Sequence, residues 1–554
     1  MSPHRPNILV IMADDHASKA ISCYGGGINH TPNLDRIASD GMRLNHCYVS
    51  NSICTPSRAA ILCGTHNHVN LVQTLDNNIA TRLPNVAKQL RSYGGYQTAI
   101  VGKWHLGEGE AHQPSGFDYW DILPGQGHYH DPEFIGPAGV HSEKGYATDI
   151  ITDKAIDFIS KRDKKSPFFV MCHHKAPHRS WECHPDHKNL YQDDIKIPQT
   201  FNDDYKNRAQ AAAAAHMKVA VDLTYHDLGL VQPDGGDEVG EPVSIRSRSS
   251  DHRKVPSPND VSKMRPLIDK DSGEIFTFRS TEELAHFKYQ RYMKRYLRTV
   301  QSIDENVGRM LNYLDDENLS SNTLVIYTSD QGFFLGEHGW FDKRFIYEES
   351  FQMPFLVRGP GIRAGSVCED IVSNVDFAPT WLEFAGLRIP TYMQGKSFLP
   401  SLYGQSQQSD KDVAYHRYWM HGDEYHNAYV SKTLYNGLLL LIAISPQAHY
   451  GIRSKRYKLI FWYNEGGDLP GSRQGGEDQE WELFDCEEDP LELFNLWSDD
   501  SYGTVRETMI RLLEEKMEEI GDEAQHPIGK TGKQLQQVYP SGASLGRKAN
   551  QRNL

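Results

Sequence analysis

No two of the eight cysteines stand in a C-x-x-C pair; they are scattered at positions 23, 47, 54, 63, 172, 183, 368 and 486. That spacing gives neither a zinc knuckle nor a dense disulfide framework. Long apolar runs are missing too. The most apolar, Leu438 to Ile444, is far shorter than the ~20 residues of a membrane-spanning helix, and no membrane partner is expected. Basic residues are in deficit: the net charge is -15 and no run of Lys or Arg is long. Affinity for a phosphate backbone needs clustered cations, so neither DNA nor RNA is an expected partner. A local cationic pocket can still take an anion, because neighbours set the field inside a cleft. The opening Met1-Ser2-Pro3-His4-Arg5-Pro6 runs straight into an apolar strand. It has none of the charged head, apolar stretch and cleavage site of a secretion signal. The expectation is cytoplasmic residence, or a periplasmic or secreted protein if the chain has been trimmed. No internal repeat is evident, and the oligomeric state is left open.

What is present suits a large enzyme. A chain of 554 residues, 38% of them hydrophobic, can bury one big core and a smaller one. Four short apolar runs each end in chemically capable residues. Ile8 to Met12 leads to Asp14-Asp15; Thr98 to Val101 to Gly102-Lys103-Trp104-His105; Phe168 to Met171 through His173 and His174 to Lys175-Ala176-Pro177-His178; and Leu324 to Tyr327 to Ser329-Asp330-Gln331-Gly332. Helical stretches separate them. This alternation indicates an α/β fold with a mostly parallel sheet, in which ligand sites form beyond the carboxyl ends of the strands.

Cys54-Thr55-Pro56-Ser57-Arg58 opens a helical stretch. A cysteine there lies in the field of unpaired N–H groups and the positive end of the helix dipole, which favours a thiolate and anion binding. Asp14, Asp15 and Asp330 with the Gln331 carbonyl make an all-oxygen set of the kind calcium or magnesium prefers. Arg58, Lys103 and Lys343, with His105 and His178, offer the positive charge and proton donors that a tetrahedral oxyanion requires.

The chain resembles the type I, formylglycine-dependent sulfatases of the alkaline-phosphatase-like superfamily, among them bacterial polysaccharide and aryl sulfatases. Cys54 to Arg58 matches their C/S-x-P-S-R signature. Supporting segments are Arg5 to Asp15, His30-Thr31-Pro32-Asn33-Leu34-Asp35, Gly102 to Gly107, Ser329 to Gly332, Leu335-Gly336-Glu337-His338-Gly339 and Lys343. Further on, Tyr450 to Leu459 and Glu482-Leu483-Phe484-Asp485 are similar to strands of the family's small C-terminal domain. The resemblance implies an alkaline-phosphatase-like catalytic domain over 1–408 with a polar insertion at about 203–280. A smaller α+β subdomain with an antiparallel sheet would cover 409–525, followed by a tail at 526–554.

It also implies a sulfuric ester hydrolase. Cys54 would be converted to formylglycine by a formylglycine-generating enzyme and hydrated. One hydroxyl would attack sulfur to form a covalent sulfo-enzyme, and the other would collapse to the aldehyde and expel sulfate. Asp14, Asp15, Asp330 and Gln331, with the modified Cys54, would hold calcium, with magnesium the alternative. Arg58 would stabilise the hydrate, Lys103 and Lys343 would bind the sulfate group, His105 would assist turnover, and His178 would protonate the leaving oxygen. The departure is Gln331, where many relatives carry asparagine and some histidine.

The expected substrate is a sulfated saccharide. The segment Tyr415-His416-Arg417-Tyr418-Trp419-Met420-His421 with Tyr425-His426 offers rings and hydrogen-bonding groups for sugars, and His449 is a further candidate for substrate contact. The alternatives are a phosphodiesterase or phosphonate monoester hydrolase on the same fold, or a catalytically silent binder of sulfated glycans. The polar stretches 233–238 and 246–251 read as a surface excursion or a lid. From Glu283 to about Leu314, apolar residues at 292, 296, 300, 303, 307, 311 and 314 keep helical spacing.

Overall fold

The computed structural model describes residues 5–231, 261, 264, 266–406, 408–409, 412–422, 434–435, 438–439 and 446–539. The polar stretches 233–238 and 246–251, Tyr425-His426 and most of the run 438–444 lie outside the described residues.

The main sheet has ten strands. In chain order they are β1 (Asn7–Ala13), β2 (Met42–Tyr48), β3 (Gln97–Lys103), β4 (Tyr119–Leu123), β5 (Glu133–Gly136), β6 (Gly139–Ser142), β7 (Phe168–His173), β8 (Thr323–Ser329), β9 (Phe355–Arg358) and β10 (Ser366–Ser373). Their spatial order is β10-β2-β9-β8-β1-β7-β3-β4-β5-β6. The strands expected to carry chemistry, β8, β1, β7 and β3, are adjacent and mutually parallel. Ala13 pairs with Ser329, and Met12 and Gly102 both pair with His173, so all four strands stop at one edge. Each is buried on both faces, which is why it reads as an unbroken apolar run rather than an alternating one.

Helices cover both sides. On one face lie α1 (Cys54–Cys63), every residue of which is buried, and the helix Phe377–Phe384. On the other, α2 (Ala147–Lys161) packs with α3 (Thr281–Asp316). The Ser280 side chain caps α3 by accepting from the Glu283 amide. Among the described residues no helix is long and apolar enough to cross a membrane.

A second sheet of four antiparallel strands follows: β11 (Ala414–Tyr418), β12 (His449–Arg453), β13 (Tyr457–Trp462) and β14 (Glu480–Asp485), with α4 (Gly503–Ile520) on its outer face. Two regions depart from the expectations. The start of the expected polar insertion, residues 209–217, is anchored in the body: Ala209, Ala211, Ala212, Ala215 and Met217 are buried in the main core and the Ala209 amide donates to Glu482. The tail contains α5 (Gly532–Val538), opened by a capping box of Thr531 and Gln534 and anchored by the fully buried Leu535. Seven residues are too few to show a helical period, but T-x-x-Q is a legible cap.

Candidate active site

The edge where the four parallel strands end carries the functional side chains. Two of them sit on backbone with positive φ, Asp15 at 69° and His105 at 54°, a conformation that non-glycine residues hold only where the surroundings impose it. Gly102 shows how tightly β3 and β7 approach here: a Cβ on it would lie 2.0 Å from the His173 carbonyl oxygen.

Cys54 is the first residue of α1, with the extended Ile53 as its cap. Its Sγ lies 3.4 Å from Asp14 Oδ1 and 3.8 Å from Gln331 Nε2. The helix start was expected to favour a thiolate; the structure corrects this. Burial, followed by the nearby Asp14 carboxylate, pushes the thiol well above its ordinary range. Arg58, one turn on, places Nε and Nη2 at 3.0 and 2.9 Å from Asp330 Oδ2, and Nη1 donates to the Lys103 carbonyl at 2.9 Å.

Three carboxylates and three cations interlock around the cysteine. The Lys103 ammonium contacts Asp14 and donates to Gln126 Oε1 at 2.5 Å. Lys343 donates to both Asp15 oxygens at 2.6 Å. Burial alone would raise the Asp14 carboxyl, but Lys103, His178 and Arg58 hold it well below the usual range. Asp330 is pushed up to about 7 by burial and by Asp14. Burial lowers His178 and His105 well below the ordinary histidine value. His178 Nε2 lies 3.7 Å from Asp15 Oδ2, and His105 sits between the Thr55 hydroxyl at 3.4 Å and Gln126 Nε2 at 3.3 Å.

A metal ion fits this donor set. Oxygens of Asp14, Asp15 and Asp330 all lie within 4.8 Å of one another and are fully buried, and the Gln331 carbonyl oxygen is a buried acceptor with no hydrogen-bond partner among the described residues. Gln331 turns its amide nitrogen, not its carbonyl, toward Asp15. The formal charges of the three acids and three cations cancel, so attraction of an anionic ester gains from a further divalent charge. All-oxygen donors suit a hard cation.

The structure thus brings Asp14, Asp15, Cys54, Arg58, Lys103, His105, His178, Asp330, Gln331 and Lys343 into one cluster. It does not bring His449 there. That ring is fully buried, with Nε2 accepting from the Ile346 amide at 3.2 Å and Nδ1 donating to the Gln447 carbonyl at 2.8 Å. No ring nitrogen is left for a sugar, so His449 is not a substrate contact. Tyr415, His416, Arg417, Tyr418, Met420 and His421 are likewise buried. Sequence reasoning missed Gln126, which joins Lys103 to His105 from the Pro124-Gly125-Gln126-Gly127 turn. Its signal was the one already in use, a polar residue just past the end of a strand, here β4.

The model of the sulfatase family matches residues 6–387. The chain belongs to the sulfatase family. A second model, of the C-terminal region of N-sulphoglucosamine sulphohydrolase, matches 442–519. An N-acetylglucosamine-6-O-sulfatase of Bacteroides thetaiotaomicron is 40% identical over 535 residues, 94% of this chain and 87% of that protein. The human N-acetylglucosamine-6-sulfatase is 28% identical over 73% of this chain and 65% of its own length. A solved protein in complex with its substrate, D-glucosamine-2-N,6-O-disulfate, superposes with a TM-score of 0.77 at 38% identity, covering 93% of this chain and 98% of that one. The phosphonate monoester hydrolase of Agrobacterium radiobacter, at 19% identity and a TM-score of 0.62, shares the fold alone. This sulfatase is a sulfuric ester hydrolase, of a family that uses a formylglycine and a divalent metal.

Proposed function

We propose that this sulfatase hydrolyses the sulfate ester of a sulfated amino sugar, with the 6-O-sulfate of a glucosamine as its target. The observation that carries the reading is the 40% identity, sustained over 94% of the chain, to an N-acetylglucosamine-6-O-sulfatase. The superposition on a glucosamine disulfate complex supports it.

Cys54, matured to formylglycine by a formylglycine-generating enzyme, supplies through its hydrate an oxygen nucleophile for sulfur and a route for sulfate release. Calcium, with magnesium the alternative, would be held by Asp14, Asp15, Asp330 and Gln331 and would supply positive charge to the sulfate group. The remaining work falls to the protein's own side chains. Arg58, fixed by Asp330 and the Lys103 carbonyl, keeps a permanent charge beside position 54. Lys103 and Lys343 flank Cys54 from Asp14 and Asp15 and orient the sulfate group. His178, whose Nε2 lies 3.7 Å from Asp15 Oδ2, is the group placed to pass a proton to the leaving sugar oxygen. His105, held between Thr55 and Gln126, assists turnover of the group at position 54.

The test is sulfate release by protein whose Cys54 peptide has been shown by mass to carry the aldehyde. The substrates are glucosamine and N-acetylglucosamine 6-sulfates, their 3-sulfates, galactosamine sulfates, and a matched pair of aryl sulfate and aryl phosphate. Fastest turnover of a glucosamine 6-sulfate is expected. Preference for a galactosamine sulfate would refute the sugar assignment, and preference for the phosphate would refute the reading altogether.

A further inference from the structure

Two histidines of the small sheet reach the main-chain segments that carry Cys54 and Lys343. His416 lies on β11 and His449 on β12; His416 is opposite Gly451 in the register, which puts the two rings on one face as diagonal neighbours. They stack with centroids 5.3 Å apart and planes 19° from parallel. His416 Nε2 accepts from the amide of Ser52, two residues before Cys54, at 3.1 Å. His449 Nε2 accepts from the amide of Ile346, three residues after Lys343, at 3.2 Å. Both rings are fully buried.

From this we infer that the stacked pair His416 and His449 positions the catalytic centre, pinning the Cys54 and Lys343 segments by one backbone amide each to the C-terminal sheet. An imidazole nitrogen that accepts from an amide must be unprotonated, so each ring carries its proton on Nδ1. For His449 the Gln447 carbonyl selects that tautomer. Burial holds His449 down to about 3 and His416 well below the ordinary value, which keeps both acceptors available at neutral pH. The surroundings leave the rings no freedom to turn. Phe351 meets His416 edge-on at 5.3 Å, and Trp462 and Phe345 enclose His449 at 4.4 and 5.8 Å. Gly451, opposite His416, is required by the sheet itself: a Cβ there would stand 2.2 Å from the Leu459 carbonyl oxygen of β13, and 3.1 Å from Ile346 Cδ1. The two pinned segments lie nearly 300 residues apart in the chain; they touch directly through the Ser52 to Ser350 hydroxyl contact at 2.7 Å and the Val49 amide on the Phe351 carbonyl at 3.0 Å, and the histidine pair adds a hold on each from a third element. A catalytic set divided between two segments needs such a common reference, because a misplacement of about 1 Å can cost on the order of 100-fold in rate.

The inference rests on the assignment of Cys54 and Lys343 to catalysis, and its test separates the two. His416→Phe and His449→Phe keep a ring but remove the acceptor; His416→Gln and His449→Gln offer a carbonyl in its place. All are matured with a formylglycine-generating enzyme and matched for aldehyde content at position 54. Hydrogen–deuterium exchange of peptides covering Ser52 and Ile346 reads the pinning without any substrate, and sulfate release from an aryl sulfate reads its consequence. The Phe variants are expected to exchange faster at the segment each ring holds and to lose kcat by roughly 10- to 100-fold with KM within about 3-fold, and the Gln variants to recover most of both. Unchanged kcat in the Phe variants, or a loss as large in the Gln variants, would overturn the positioning role. If a Phe variant does not fold, the wild type decides: rapid exchange at Ser52 or Ile346 overturns the inference, and slow exchange at both upholds the pinning. A matured wild type that releases no sulfate fails the functional reading instead, and the exchange difference still decides the pinning.

Discussion

Gln126 offers a sharp test of the electrostatics around Cys54, since it lies outside the motif that directs maturation and is only partly buried. Its Oε1 accepts from the Lys103 ammonium at 2.5 Å and its Nε2 faces His105 Nε2 at 3.3 Å. The lysine is a donor only, so the amide has one orientation, and its nitrogen must then donate to a His105 nitrogen that bears no proton. Gln126→Leu removes both bonds. A hydrogen bond to a charged group is worth about 1.5–3 kcal/mol, so kcat/KM should fall by about 10- to 150-fold. Gln126→Glu keeps the acceptor for Lys103 but adds a negative charge at the mouth. For like charges ~6 Å apart, with an effective dielectric constant of roughly 20 to 80, the repulsion is about 0.7–3 kcal/mol. The two losses differ in origin. Raising salt from ~0.05 to ~1 M shortens the screening length severalfold and should shrink the Glu deficit while leaving the Leu deficit in place. Initial rates of sulfate release at both ionic strengths, with aldehyde content matched by mass, are the assay. Two variants within twofold of wild type, or a Leu deficit that salt abolishes, would refute the argument.

Cys54→Ala should abolish turnover while shifting the thermal midpoint little, because the hydrogen bonds of Sγ among the described residues are the two long ones to Asp14 and Gln331; melting curves and sulfate release check it. Exhaustive chelation should slow sulfate release strongly and calcium or magnesium should restore it, since the cluster of three buried carboxylates gains from a divalent charge; full activity in protein shown to be metal-free would reject the metal reading. Lys288, fully buried with its ammonium on the Ala220 carbonyl, is pushed by burial from 10.5 down to about 7. The unfolded chain therefore binds the proton more tightly, and stability should rise with pH between about 7 and 10.5 at up to ~1.4 kcal/mol per unit. Lys288→Met should remove that rise, as chemical denaturation at pH 7 and pH 9 would show; an identical pH slope in the variant refutes it.

Much of the site was legible because its pieces are local. Strand ends at Asp14-Asp15, Lys103 to His105, His178 and Asp330-Gln331 follow directly from short apolar runs, and β8, β1, β7 and β3 do lie side by side. The helix opening at Cys54 and the long helix Thr281–Asp316 were equally readable from motif and period. His449 was misread because a polar residue at a strand start looks the same whether it faces a cleft or a core.

The sequence by itself determined the fold class, the family and which residues gather at the candidate site, since strand patterns and the C-T-P-S-R motif are carried by neighbours in the chain. Only the tertiary structure decided protonation and support. It buried the Cys54 thiol against Asp14 and so raised it, slipped Gln126 between Lys103 and His105, and set His416 and His449 under two distant segments. Those outcomes depend on burial and on contacts across tens to hundreds of residues. Desolvation and hydrogen-bond partners are properties of the packed chain, and no local pattern encodes them.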